Sequence, residues 1–218
     1  MSPLHVPRTA FAAIAFALLT ALAVSGQTIY DNGHAGTDTD AWTINNGFVV
    51  SDTFTVSQGA SQVNGFAFNA WLFTGDVLES VEVSITSQEF GGTTYFDQPV
   101  NFTQSNCGAN SYGFNVCEET GSFSGPTLGN GTYWINLSNA IVNSGDPVYW
   151  DENSGAGCQS PGCPSQASEN SVGSIPSESF TVLGGPASGG GSVPEPGSLF
   201  LFAGALLSGA GVMWRRIR

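Results

Sequence analysis

Apolar and polar residues alternate through much of the central part of the chain, which is the pattern of half-buried β-strands. In "FVVSDTFTV", the apolar residues from Phe48 to Val56 largely share one parity. In "SVEVSIT", Val81, Val83 and Ile85 alternate with polar residues, and "TYWINLS" repeats this alternation. Each of the three segments is therefore predicted to be a strand that buries one face.

Other segments add to the same strand-rich pattern. The segment from Val63 to Phe73 is apolar on both faces, which is typical of a central strand, and Trp71 within it is predicted to be a core residue. Helix-favouring residues are scarce, whereas Gly, Ser, Thr and Asn crowd the connections. Some ten short strands at this spacing predict an all-β fold, a two-sheet antiparallel β-sandwich with a jelly-roll-like arrangement. Further strands are predicted at Thr28–Tyr30, Trp42–Ile44, Thr94–Phe96, Val100–Thr103, Tyr112–Val116, Val148–Trp150 and Phe180–Leu183.

The N-terminal residues have the pattern of a secretory signal peptide. Arg8 precedes an apolar stretch from Ala10 to Val24, and small residues follow it up to Gly26. An uncleaved membrane anchor is the alternative, but the stretch is shorter than the roughly 20 residues that a spanning helix needs. Residues 1–26 are therefore predicted to be a signal peptide that directs the chain into the secretion machinery.

A second apolar segment, Leu199 to Trp214, lies near the C-terminus and is predicted to form one transmembrane helix over residues 199–214. At about 1.5 Å per residue it covers roughly 24 Å, slightly less than a typical hydrocarbon core. The arginines that follow are expected to stay on the cytoplasmic side, which leaves the preceding domain outside. The predicted segments are a signal peptide (1–26), a β-sandwich ectodomain (27–183), a flexible Gly/Ser-rich linker (184–192) and a C-terminal region (193–218).

Charge is distributed unusually along the chain. The four basic residues are Arg8 and three arginines at the C-terminal end, whereas all seventeen carboxylates lie between Arg8 and Arg215. A surface without Lys or Arg cannot displace counterions from a phosphate backbone, so nucleic-acid binding is excluded. The uniform sign favours solubility and discourages self-association, unless divalent cations neutralise it.

The C-terminal region combines an extended triplet, an apolar helix and a basic end. Val193, Pro194, Glu195 and Pro196 precede the apolar segment, and the arginines Arg215, Arg216 and Arg218 follow it. This order resembles the PEP-CTERM sorting signal of Gram-negative bacteria. The resemblance implies transient insertion in the inner membrane, processing by a membrane-embedded exosortase, and delivery to the cell surface or the exopolysaccharide matrix. An ordinary single-pass anchor with a proline-rich stalk is the alternative.

Four cysteines lie in the predicted ectodomain, in "CGANSYGFNVC" and "CQSPGC". An even number of cysteines in an exported chain predicts disulfides, and two local pairs demand least of the fold. These pairs are Cys107 with Cys117, which would tie a hairpin around Tyr112, and Cys158 with Cys163. A zinc site is the alternative, but the spacings match no zinc ribbon.

Catalysis is not predicted. The sequence contains no G-x-S-x-G elbow and no H-E-x-x-H helix, and the ectodomain has no Lys or Arg to stabilise an oxyanion. His34 is the only histidine beyond the predicted signal peptide, and a single His in "DNGHAG" is typical of a solvated loop. Adjacent carboxylates occur, but adjacency in sequence does not place two groups on opposite sides of a sugar bond.

Two stretches carry the oxygen ligands that calcium prefers. "DNGHAGTDTDAW" supplies Asp31, Asp38 and Asp40 from one irregular segment, and "DPVYWDENSG" is a second acidic stretch. Neither follows the EF-hand spacing, and an Asp/Asn turn cluster is the alternative interpretation. No cofactor other than this calcium is predicted.

Trp134 is the residue that the sequence singles out for ligand binding. It lies on the strand face opposite Tyr133 and Ile135, and an exposed indole can stack on a sugar ring. Packing of Trp134 in a second layer is the alternative. The chain as a whole is predicted to be an exported, exosortase-sorted protein with a structural or adhesive role at the surface or in the exopolysaccharide matrix. The second hypothesis is a carbohydrate-binding module that recognises matrix polysaccharide, with or without calcium.

Overall fold

A computed structural model describes residues 27–187, and within this range the regular structure consists of β-strands without a helix. The predicted signal peptide, the predicted transmembrane helix and the sorting signal lie outside the described residues. Among residues 27–187, none belongs to a helix long and apolar enough to cross a membrane. The strands are β1 (Gln27–Asp31), β2 (Ala41–Thr43), β3 (Val49–Val56), β4 (Ser61–Leu72), β5 (Leu78–Gln88), β6 (Gly91–Ala109), β7 (Asn115–Ser122), β8 (Thr127–Leu128), β9 (Gly131–Val142), β10 (Tyr149–Asp151), β11 (Ala167–Glu169), β12 (Gly173–Ile175) and β13 (Phe180–Pro186).

All strand pairs are antiparallel, and they form one continuous curled sheet. Its order is β1-β13-β4-β7-β6-β5-β9-β3-β11-β12; in addition, β8 and β10 pair with β4, and β2 pairs with β10. The 19-residue strand β6 joins the two halves, because its first part pairs with β5 and its second part with β7. The all-β antiparallel class is therefore confirmed. The predicted pair of separate jelly-roll-like sheets is not, since hydrogen bonding continues through β6.

One hydrophobic core fills the inside of the curled sheet, and the alternation in the sequence accounts for it. Both halves contribute fully buried residues, among them Phe54 of β3, Val83 of β5 and Ile135 of β9 opposite Phe68 of β4 and Val182 of β13. The predicted inward faces of β3, β5 and β9 are confirmed. Truncating one large aliphatic residue of such a core costs about 2–5 kcal/mol.

A β-bulge in β4 decides which of its residues face the core. Asn64 is skipped in the pairing with β13, because Gly65 pairs with Leu183 and Val63 with Gly184. Beyond the bulge, Phe66, Phe68, Ala70 and Leu72 are buried in the core cluster on alternate positions. Trp71 consequently lies on the outer face of the sheet. It is buried, as predicted, but it is not part of the core cluster.

The last strand is longer than the sequence indicates. Gly184, Gly185 and Pro186 pair with the first residues of β4, and Ala187 donates a main-chain hydrogen bond to Ala60. The fold therefore continues three residues past the predicted boundary at Leu183, into the start of the predicted linker. A Cβ on Gly184 would clash with the Gln62 carbonyl oxygen, so the close approach of the strands requires glycine there.

Candidate functional site

An aromatic pocket opens on the outer face of the sheet. Five residues line it, namely Thr39, Asp40, Trp71, Tyr112 and Phe114, and its volume is about 270 Å³. They come from three separate parts of the chain: the loop before β2, the end of β4, and the connection between β6 and β7. This aromatic pocket is the candidate functional site.

Trp71 forms the floor of the aromatic pocket. Its ring stacks on Tyr112, with centroids 5.6 Å apart and planes inclined by 23°, and it contacts Phe114 at a centroid distance of 5.5 Å. Its indole Nε1–H donates a hydrogen bond of 2.8 Å to Asp151 Oδ1. Because a buried polar group without a partner is costly, this bond fixes the orientation of the indole.

The connection between β6 and β7 presents Tyr112 and Phe114. Asn110 organises it, because its Oδ1 accepts hydrogen bonds from the main-chain N–H groups of Tyr112 and Phe114 at 3.1 and 2.9 Å. Gly113 has a φ of 88°, a left-handed conformation that favours glycine. The Cys107–Cys117 disulfide closes the hairpin directly below this turn. The aromatic residues therefore stand on a stapled hairpin.

The loop before β2 is tied to the same hairpin. Asn110 Nδ2 donates to the Thr37 carbonyl at 3.0 Å, and the main-chain N–H and hydroxyl of Ser111 both donate to Asp38 Oδ1 at 2.7 Å. These bonds from Ser111 lower the pKa of the Asp38 carboxyl. Thr37 in turn donates its N–H to Asp151 Oδ2 at 3.1 Å. Asp151 thus connects the pocket floor with the pocket wall.

The mouth of the aromatic pocket combines an apolar ring face with polar groups. Tyr112 is 61% exposed, and Thr39 and Asp40 are exposed beside it. Phe73, 37% exposed, extends the aromatic surface because its ring contacts Phe114 with centroids 4.9 Å apart. Exposed aromatic faces next to hydroxyl and carboxylate groups can stack on a sugar ring and bind its hydroxyls.

Buried carboxyl groups lie beneath the aromatic pocket. Burial raises the pKa of Asp151 to about 6, and it also raises the pKa of Glu152, whose Oε1 accepts a 3.0 Å hydrogen bond from Trp42. Glu178 is fully buried, and neither of its carboxylate oxygens has a hydrogen-bond partner within residues 27–187. Burial, followed by repulsion from Asp52, raises the pKa of Glu178 well above its usual range. A proton is the simplest means of neutralising this group.

Two further carboxyl groups face the core. Asp52 lies on the inward parity of β3, and its oxygens accept main-chain N–H groups of Thr53 and Glu178. Glu119 lies opposite Phe68 and Gln104 in register, with both of its oxygens unpartnered in the described part of the chain. Burial raises the pKa of Asp52 to about 7 and that of Glu119 to about 8. The ectodomain contains no Lys or Arg that could reverse these shifts.

The structure does not gather the three aspartates that were predicted as calcium ligands. Asp31 Oδ1 accepts the N–H of Gly33, Asp38 is held by Ser111, and Asp40 Oδ1 accepts the N–H of Ala41. Between residues 27 and 187, no group of three or more His, Cys, Asp or Glu side chains could hold a metal ion. Calcium binding stays a prediction, and Asp40 is the member of this set that lines the aromatic pocket.

Trp134 lies in the other half of the sheet, away from the aromatic pocket. It is half-buried on β9, opposite Thr53 of β3 and Thr86 of β5. Its indole N–H has no hydrogen-bond partner in the described residues, unlike that of Trp71. Ligand binding by Trp134 stays a prediction.

The predicted cysteine pairs are confirmed. Cys107 bonds to Cys117 and Cys158 bonds to Cys163, so the described chain has no free thiol. Tyr112, Phe114 and Thr39 were not predicted as site residues. The two aromatics could have been identified from their position between Cys107 and Cys117. A turn closed by a disulfide does not need exposed aromatic rings for its own stability, so such rings indicate a binding role.

Comparison with protein families assigns the C-terminal tail. Residues 192–217 match the family model described as the PEP-CTERM protein-sorting motif. The chain carries a PEP-CTERM sorting signal. The match includes the predicted residues Val193, Pro194, Glu195 and Pro196 with Arg215 and Arg216, and Arg218 lies one residue beyond it. A PEP-CTERM signal implies an exported protein that passes through the membrane and is processed by exosortase. A search of curated proteins found no match to the chain.

Proposed function

We propose that this PEP-CTERM protein acts outside the cell, at the surface or in the exopolysaccharide matrix, as an adhesive module that binds carbohydrate in its aromatic pocket. It acts by binding rather than by catalysis. The observation that supports this proposal is the stack of Trp71 and Tyr112 beside the polar side chains of Thr39 and Asp40. An aromatic platform with adjacent hydroxyl and carboxylate groups matches the apolar face and the hydroxyl edge of a pyranose ring.

The construction of the pocket supports binding rather than simple packing. Tyr112 and Phe114 do not cover a hydrophobic core, because they sit on the outer face of the sheet. The hairpin that carries them is braced by a disulfide and by hydrogen bonds that Asn110 Oδ1 accepts from the main chain. Pre-organised side chains lose little conformational entropy when a ligand binds, so such bracing favours affinity.

The charge of the domain supports polysaccharide, rather than nucleic acid, as its extracellular partner. Sixteen of the seventeen carboxylates, all except Glu195, lie between residues 27 and 187, where there is no Lys or Arg. Uniform negative charge favours solubility of such a domain and discourages its self-association.

The proposal is tested by measuring where the exported protein is retained in its own host cells. Tyr112→Ala removes the exposed ring of the stack. Tyr95 is also an exposed tyrosine, on the first part of β6, so Tyr95→Ala is the matched control. We expect Tyr112→Ala to shift the protein from the matrix fraction into the medium, while Tyr95→Ala behaves as wild type. Equal retention of all three proteins would contradict carbohydrate binding at the aromatic pocket.

Three further arms of the same experiment test the remaining parts of the proposal. Deletion of exosortase should leave full-length protein in the inner membrane, because processing depends on the PEP-CTERM signal. Unchanged processing and location would contradict the sorting step. Washing the matrix with a chelator tests the predicted calcium, and Trp134→Ala tests the predicted second surface. If Trp134→Ala lost retention while Tyr112→Ala was retained like wild type, the binding site would lie on β9 rather than in the aromatic pocket.

A further inference from the structure

We infer that the aromatic pocket selects glycans that carry free ammonium groups, that is, polymers of amino sugars that are not N-acetylated. This inference rests on the proposed function and names the ligand class of the same site. It rests on the position of the Asp40 carboxylate in the same pocket as the exposed ring of Tyr112, which stacks on Trp71.

Asp40 provides the negative charge at the pocket wall. Its Oδ1 accepts a 2.8 Å hydrogen bond from the Ala41 N–H, and its Oδ2 has no hydrogen-bond partner in the described range 27–187. The side chain is exposed and lines the aromatic pocket, so the free oxygen is accessible to a ligand. A hydrogen bond from an ammonium group to an ionised carboxylate is stronger than one between neutral groups.

The aromatic rings favour the same charge. The face of an aromatic ring attracts a cation through its quadrupole, and Tyr112, which is well exposed, presents such a face at the mouth of the pocket. Three rings, those of Trp71, Tyr112 and Phe114, line the pocket beside Asp40. An ammonium group on a sugar ring would therefore meet a carboxylate and a π face together, whereas a neutral sugar gains stacking and hydroxyl hydrogen bonds but no attraction between opposite charges.

The negative charge around the aromatic pocket disfavours ligands that are themselves negatively charged. Asp38 lies in the same loop as Asp40, Glu152 lies close enough to Asp40 for repulsion between them, and neither has a Lys or Arg in residues 27–187 to offset it. A polyuronate would bring further carboxylates into this field, and like charges repel within a screening length of about 10 Å. The pocket is thus complementary to amino sugars and unfavourable for acidic polysaccharides.

Size and polarity favour a sugar over an extended peptide. The volume of about 270 Å³ lies just below the roughly 300–1,000 Å³ of sites for drug-sized molecules, so it suits one ring of a polymer. Thr39 supplies a hydroxyl at the same wall, where a ring hydroxyl can donate or accept. A lysine side chain would fill the ammonium position but would leave the Trp71–Tyr112 stack without a flat partner.

The test compares binding of the exported protein to four immobilised probes. They are short glucosamine oligomers, the same oligomers after N-acetylation, a polyuronate, and oligolysine. We expect the glucosamine oligomer to bind most tightly and the polyuronate not at all. Asp40→Asn, which keeps the acceptor for Ala41, should weaken glucosamine binding by about three- to tenfold and leave binding of the N-acetylated oligomer unchanged. Asp97→Asn, an exposed carboxylate on the first part of β6, is the matched charge control and should change neither.

The outcomes separate this inference from the proposed function. Tighter or equal binding of the N-acetylated oligomer, with loss in Tyr112→Ala, would overturn the ammonium preference but support the carbohydrate site. Absence of binding to both oligomers and to the host exopolysaccharide would overturn both. Oligolysine binding that matches glucosamine binding, and that Asp40→Asn weakens equally, would show that the pocket recognises cationic peptide and would overturn the sugar assignment.

Discussion

The indole of Trp71 stacks on the phenol of Tyr112 with centroids 5.6 Å apart, although Trp71 belongs to β4 and Tyr112 to the turn after β6. The contact joins a rigid strand to an exposed hairpin tip. Only the tyrosine is well exposed, at 61%, because the tryptophan is covered by it and by Phe114. The pair therefore forms two layers, in which Trp71 supports the ring of Tyr112 and Tyr112 presents the exposed surface to which we assign the proposed ligand contact.

Replacing Trp71 with Phe tests the support layer. Phe keeps one aromatic ring at this position, but Asp151 Oδ1 loses the 2.8 Å hydrogen bond from the indole. We expect a loss of about 1–3 kcal/mol in the free energy of unfolding, because a buried acceptor is left unpaired. Urea denaturation measures this loss. Combining Trp71→Phe with Asp151→Ala, which removes the acceptor, tests whether the two residues act through one bond; strictly additive losses would contradict their coupling.

The two disulfides should differ in their effect on ligand binding. Replacing Cys107 and Cys117 with Ser releases the hairpin that presents Tyr112, whereas replacing Cys158 and Cys163 releases a different loop. Each loss is expected to reduce stability by about 2–4 kcal/mol. Binding to exopolysaccharide, measured under conditions where both variants stay folded, should weaken only in the first. Equal weakening in both would mean that the hairpin staple does not organise the aromatic pocket.

Stability should fall as the pH rises from acid to mildly alkaline values. Burial raises the pKa of Asp52 to about 7 and that of Glu119 to about 8, whereas the unfolded chain titrates these groups near pH 4. Between these limits the folded protein binds more protons than the unfolded chain. The stabilisation is therefore complete below about pH 4 and is lost as the pH rises through about 8.

Urea denaturation at a series of pH values checks this direction. We expect the free energy of unfolding to decrease by several kcal/mol between about pH 5 and pH 8. Most proteins lose stability toward acid because their paired carboxylates have depressed pKa values, and this chain lacks the cations for such pairs. A stability that increases from pH 5 to pH 8 would show that cations, rather than protons, neutralise the buried groups.

Glu119→Gln isolates one of these groups. Gln104 lies opposite Glu119 in register, and its Oε1 is buried without a donor in the described residues. The amide of a glutamine at position 119 can supply that donor at every pH, so we expect stabilisation by about 1–3 kcal/mol at pH 8 and little change at pH 5. Glu79→Gln, an exposed position on β5, is the control and should not change the pH profile. If the pH dependence of stability were unchanged in Glu119→Gln, another group would have to be responsible for it.

Much of the fold was predictable from the sequence because period-two alternation follows directly from burial of one strand face. The inward faces of β3, β5 and β9 agree with this alternation. The short sequence separation within each cysteine pair was sufficient to predict both disulfides. The continuous sheet was not predictable, since nothing in the sequence indicates that β6 changes partner midway from β5 to β7.

The aromatic pocket escaped prediction for a different reason. Its parts lie in three distant segments, and the bulge at Asn64 sets the parity that turns Trp71 outward. A bulge leaves no reliable trace in the apolar pattern of Val63–Phe73, so the sequence alone predicts Trp71 to be a core residue. Asp40 was singled out as a calcium ligand, and only the tertiary structure places it beside Tyr112.

The most direct test is an equilibrium titration of the purified exported protein with isolated host exopolysaccharide, followed by intrinsic tryptophan fluorescence. Trp71 lies in the aromatic pocket, so binding should change its emission in wild type and in Tyr95→Ala. In Tyr112→Ala, loss of the stacking face should weaken the affinity by about tenfold. Equal affinity of wild type and Tyr112→Ala would contradict carbohydrate binding at this site.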